Sequence, residues 1–302
     1  MTRRTNQFFL FVFIYFLLVS AVAVPILMLF PISEMLLQFV VQFLIFIPIL
    51  FIYLYTERVS AKECFSLRKI SIKNAILCIC IGFFVMPFMS LIVLLTSFLQ
   101  PNLAEESMSS LNSSGLFLMI VVTAVQPAIF EELVFRGIAL HGYRQRGMRT
   151  ALLMSAFLFA MLHMNLQQAL YAFALGAIFA FLVQRTGSIF ASILPHFTVN
   201  ASNAAAMYLF SDITTEAVTA TPTFLQQLIA VVLQCIIFLP LLLLCGFLFC
   251  RCNPKQPETV SFAAATEQPK EKLFSASIII IIILFVVFGV LPNLYIFQAL
   301  VN

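Results

Sequence analysis

Glu131, Glu132, Arg136, His163, His196 and Asn200 carry acid–base and hydrogen-bonding chemistry inside runs that are otherwise apolar. A carboxylate can take a proton from water, imidazoles can relay or hold one, and a carboxamide can donate to an oxyanion. An ionised side chain near the centre of a bilayer costs about 2.5–3.5 kcal/mol on insertion scales, so each such group needs a partner or a task. Glu132 and Arg136 are four residues apart and share a helix face, which makes them a structural ion pair. Glu131 is turned by about 100° from its neighbour and points elsewhere, which leaves it as the reactive carboxylate. Further along, Ser192, His196, Asn200 and Asn203 recur at helical spacing and form a polar stripe suited to a cavity and not to lipid.

The elements that must position these groups are hydrophobic helices. Apolar runs cover residues 7–30, 35–55, 75–99, 116–140, 150–166, 168–184, 188–210, 224–250 and 275–297, the last with Ile278 to Ile283 in succession. The first continues past a stretch, Ala21-Val22-Ala23, that looks like a signal-peptide cleavage site, and is read as an uncleaved helix long enough to span. Pro127 deprives the Thr123 carbonyl of its helical donor and Pro195 does the same to Ala191, so both helices are expected to bend beside their polar residues. At 1.5 Å per residue, Glu131 lies about 15 Å, His163 about 20 Å and His196 about 12 Å from the cytoplasmic ends of their helices. The shared depth points to one site near the midplane, biased to the cytoplasmic side.

Composition sets the class. With 63% hydrophobic and 9% charged residues and a mean hydropathy of +1.09, this is no water-soluble domain of 302 residues. It reads as an all-α, polytopic transmembrane bundle of about nine spans with its N-terminus in the cytoplasm, integral to a cell membrane. That assignment puts 15 of the 16 basic residues in cytoplasmic loops, the sixteenth being Arg136. The net charge of +4 is thereby explained as a topology signal, and no basic face is left for nucleic acid. The seven cysteines include none at metal-ligand spacing from a histidine and read as small core residues. The chain divides into helices 1–3 with a basic loop (residues 1–115), a catalytic core of helices 4–8 (116–250), a polar cytoplasmic linker (251–273) and a last helix (274–302).

Several chemistries are excluded. Asp212 is the single aspartate, so a two-aspartate intramembrane protease is ruled out. The chain has no His-Glu-x-x-His helix and no Gly-x-Ser-x-Gly nucleophile turn. A glutamate, two histidines and an asparagine remain, suited to activating water and holding an oxyanion. The competing readings are a transporter or proton relay using the buried charges, and a non-catalytic immunity or scaffold protein.

The motifs Glu131-Glu132-x-x-x-Arg136, Phe159-x-x-x-His163 and His196-x-x-x-Asn200, in that order on successive helices, resemble those of the CAAX-processing and bacteriocin-processing (CPBP) intramembrane proteases, which include the type II CAAX prenyl endopeptidases. The resemblance covers residues 116–210 and implies peptide-bond hydrolysis in an intramembrane cavity open to the cytoplasm. It implies that Glu131 and His163 activate the water while His196 and Asn200 hold the oxyanion. Members are usually described as metalloproteases. The resemblance is therefore compatible with one zinc ion on Glu131, His163 and His196, with water as fourth ligand, and equally with the same groups acting without a metal. The expected substrate is a membrane-associated peptide or protein, such as a prenylated CAAX peptide, a leader peptide or a regulator, reached from the membrane or the cytoplasmic side.

Overall fold

A computed structural model describes residues 1–100, 115–216, 222–254, 272–292 and 294. Among these residues every regular element is a helix: α1 (Thr2–Leu27), α2 (Glu34–Glu57), the short α3 (Ala61–Cys64), α4 (Ile72–Thr96), α5 (Leu116–Arg146), α6 (Met148–Leu162), α7 (Leu166–Thr186), α8 (Phe190–Glu216), α9 (Phe224–Cys252) and α10 (Ala276–Val290). Six of them, α1, α2, α4, α5, α7 and α9, are long and apolar enough to cross a membrane; α6 and α10 are shorter apolar helices. Helix α8 is 27 residues long but carries the polar stripe. A helix thus stands at each predicted span, while the number of crossings and the side of the N-terminus stay proposals. Helix α8 continues to Glu216, past its expected end at Phe210. The acidic stretch 101–114, most of the 251–273 linker and the end of the last predicted span lie outside the described residues.

Local sequence sets the helix ends. Ser33, Ser60, Ser71, Asn165 and Thr223 each accept a hydrogen bond from the backbone N–H three residues on, at the starts of α2, α3, α4, α7 and α9. Such caps satisfy donors that the first helical turn leaves open and contribute about 1 kcal/mol each. Helix α7 stops at Gly187, whose φ of 67° is the left-handed conformation a glycine takes without strain.

The main core joins α1, α2, α5, α6 and α10 through Phe9, Phe13, Phe46, Phe135, Phe159 and Phe285. A second apolar cluster, Val85, Leu175, Phe179 and Val199, packs α4, α7 and α8 together beside the polar residues. Helices α4 and α8 approach closely at Gly82, where an added Cβ would lie 2.7 Å from the Pro195 Cα.

Loop contacts gather the basic ends on one face. Arg144 pairs with Glu63 at 3.4 Å, Arg146 donates to Thr2 Oγ1 at 2.9 Å, and Arg185 donates to the Asn253 carbonyl at 3.1 Å. Asn74 and Asn253 exchange side-chain hydrogen bonds at 2.9 and 2.8 Å, and Ser188 donates to the Arg68 carbonyl. At the other face Gln100 is fully buried. It accepts from the Leu166 N–H at 2.7 Å and donates to the Gly289 and Val290 carbonyls at 3.3 and 2.9 Å, which ties the end of α10 to the start of α7.

Candidate active site

Helix α5 is built around irregular backbone. A wider π turn at Val121–Val125 precedes the regular turns Gln126–Glu132, and a second runs from Leu133 to Ala139. Such turns recur at functional sites because they re-aim side chains without ending the helix. Pro127 has no N–H, so it withdraws the donor that Thr123 O would take in α register and Val122 O in the wider register. Neighbouring helices supply the replacements. Asn200 Nδ2 on α8 donates to Thr123 O at 3.1 Å, and Gln42 Nε2 on α2 donates to Val122 O at 3.0 Å. The π turn directly precedes Pro127, and α8 runs through Pro195 as one continuous helix.

The Glu132–Arg136 pair forms as its spacing predicts, with Arg136 Nη1 2.9 Å from Glu132 Oε1 and both side chains fully enclosed. The guanidinium lies over the Phe159 ring at 4.3 Å from its centroid, with the Phe179 ring at 5.5 Å. Cation–π contacts of this desolvated kind are worth about 2 kcal/mol. Glu132 also does something its spacing did not announce. His196 Nδ1–H donates to Glu132 Oε1 at 2.7 Å, so the carboxylate that neutralises Arg136 also fixes the orientation of an imidazole on α8. His196 Nε2 then faces Glu131, whose Oε2 is 3.7 Å away.

His163 caps the end of α6, with its Nδ1 2.9 Å from the Phe159 carbonyl. A carbonyl only accepts, so Nδ1 carries the proton and Nε2 of the neutral ring is free to receive one. Phe159 holds both imidazoles: its ring meets that of His163 edge-on at 4.8 Å and that of His196 at 6.0 Å. Phe179 stacks on His196 at 5.5 Å.

Glu131, His163, His196 and Asn200 all line one cavity of about 1140 Å³, while Glu132 and Arg136 are sealed behind it. Glu131 therefore faces the cavity and Glu132 faces the protein. The site also draws in residues that the sequence reading passed over: Gln38, Gln42, Gln167, Gln168 and Tyr171 line the same space. Gln38 and Gln42 stand four residues apart inside an apolar run, a spacing that was available as a signal.

The cavity lies toward the helix ends away from the basic loops. It is lined by the second half of α4, the first half of α5 and the first turns of α2 and α9, the ends farthest from the basic face. The physical reason is the length of α6. Fifteen residues rise about 22 Å, less than a hydrocarbon core of about 30 Å, so the turn carrying His163 stops short and leaves space above it.

Among the described residues no group of three His, Cys, Asp or Glu side chains that could hold a metal ion is found.

Residues 113–202 match the family model of Rce1-like proteins, type II CAAX prenyl endopeptidases. That segment contains Glu131, Glu132, Arg136, His163, His196 and Asn200 together. A stretch of 84 residues, 28% of this chain, is 36% identical to the Bacillus subtilis (strain 168) protein named "Putative membrane peptidase YdiL" and covers 34% of it. The match thus spans about a third of the length of that curated relative. No solved structure matches the chain. The resemblance that the three motifs carry is upheld, and the chain is an integral, multi-pass membrane protein with an all-helical bundle fold.

Proposed function

We propose that this protein is an intramembrane endopeptidase that hydrolyses a peptide bond of a membrane-associated substrate with water activated by Glu131 and His163. The observation that carries the reading is the meeting of Glu131, His163, His196 and Asn200 on one cavity inside a membrane bundle. Glu131 takes a proton from the attacking water as its oxygen bonds to the scissile carbonyl carbon, with His163 Nε2 orienting the water. Negative charge collects on the former carbonyl oxygen, where the second Asn200 Nδ2–H and, in its doubly protonated form, His196 Nε2–H are the available donors. Glu131 then returns its proton to the departing nitrogen, the C–N bond breaks, and a carboxylate and an amine leave. Glu132 holds His196 for this task and Arg136 holds Glu132.

The test uses the purified protein in proteoliposomes and a peptide mixture read by mass spectrometry. Glu131→Gln and His163→Ala are each expected to lower cleavage by about 10²–10⁴-fold, the range for a lost general base. Cleavage that survives both substitutions overturns the reading. Metal analysis of the same preparation separates this metal-free route from one assisted by zinc on Glu131, His163 and His196.

A further inference from the structure

The placement of the cavity adds what the endopeptidase reading leaves open, the face from which substrate arrives and the kind of chain it is. Helices α2, α4, α5, α6 and α9 contribute to the cavity from one end or half, α7 as far as Phe179, and α8 through its middle turns from His196 to Met207. Gln38, Ser97, Gln168 and Gln227 of the lining lie near helix ends away from Arg68, Arg144, Arg185 and Arg251, and Asn203 lies midway along α8. On the basic side the site is closed by packed side chains: Phe135, Ser155 and Ala156 are fully or almost fully buried beneath the Glu132–Arg136 pair, and Ser155 donates to the Phe135 carbonyl at 2.7 Å. Asn203 and Gln227 are exposed.

The lining also has a chemical character. Among the described residues of the lining, apart from Glu131 and the two histidines, the polar groups are carboxamides, hydroxyls and the Tyr171 phenol, with no Lys, Arg or Asp. Carboxamides offer donors and acceptors without charge, which matches the alternating N–H and C=O groups of an extended backbone. A charged side chain entering here would be desolvated, with no counter-ion among the described lining residues beyond the reacting groups themselves. The positive-inside rule assigns the basic loops to the cytoplasmic face, and the cavity lies toward the helix ends away from them.

Resting on the endopeptidase reading above, we propose that the site takes an uncharged, extended peptide segment presented at the extracytoplasmic face of the membrane. Two measurements on the full chain in cells test it. In the first, Gln227→Cys and Asn203→Cys are treated with a membrane-impermeant maleimide before and after permeabilisation. The native Cys252, exposed at the basic face, is the internal control, and the unsubstituted chain gives the background of its other cysteines. The expected result is labelling of at least one engineered cysteine in intact cells, with Cys252 reacting only after permeabilisation. Engineered cysteines that react only after permeabilisation overturn the proposal, as does a Cys252 that reacts in intact cells.

In the second, new protein termini are compared between membranes carrying the intact chain and membranes carrying Glu131→Gln. Cleavage sites are expected in extracytoplasmic segments, with no Lys, Arg, Asp or Glu beside the cut bond. Sites in cytoplasmic segments, or sites flanked by charge, overturn it. If no termini differ, the endopeptidase reading falls, and the labelling still decides which face the cavity opens to.

Discussion

Two adjacent glutamates have opposite fates because one helical step turns them to different surroundings. Glu132 is enclosed with Arg136 and His196, while Glu131 keeps 22% of its side chain exposed in the cavity. The consequence is separable by substitution. Glu132→Gln leaves the Arg136 guanidinium buried without its counter-charge, and breaking a buried pair in this way costs about 3–5 kcal/mol. A clearly lowered thermal unfolding midpoint in detergent is expected for Glu132→Gln, and an unchanged midpoint with lost hydrolysis for Glu131→Gln. Equal midpoints for the two variants would refute the division of roles. The ion pair was legible from the i, i+4 spacing, but the Glu132–His196 bond joins residues 64 positions apart and leaves no trace in local spacing.

At the scale of elements, one proline organises three helices. Pro127 opens two carbonyls on α5, and Asn200 from α8 and Gln42 from α2 close them. Pro127→Ala restores a backbone donor that competes with both side chains. The expected outcome is hydrolysis lowered at least tenfold with an unfolding midpoint equal to or above that of the parent; a fall in the midpoint with full activity would contradict it. The last helix has a similar local role. A Cβ added at Gly289 would sit 2.8–2.9 Å from the backbone of Met164, the residue after His163. Gly289→Val therefore has to push α10 away from the turn that carries His163, because backbone cannot rotate aside as a side chain does. Reduced hydrolysis with the protein still folded and extractable is expected; full activity would show that α10 is a spectator.

For the whole molecule, the described basic loop residues Arg68, Arg144, Arg185 and Arg251 lie at the helix ends away from the cavity. If nine helices cross with the N-terminus in the cytoplasm, a reporter fused after Asn302 is active only when it works outside the cytoplasm, and activity of a cytoplasm-dependent reporter there refutes nine crossings. The sequence by itself determined the bundle, because helices that must satisfy their own backbone groups in lipid leave a hydropathy pattern that needs no tertiary information. It also singled out the candidate site residues, since charges and histidines inside apolar runs stand out against the cost of burying them. Only the tertiary structure decided which partner each group takes and where the cavity lies. Those depend on how far helices distant in sequence extend past one another: α6 ends early, α5 widens around Pro127, and the space left over is a difference between helix lengths that no single run of residues encodes.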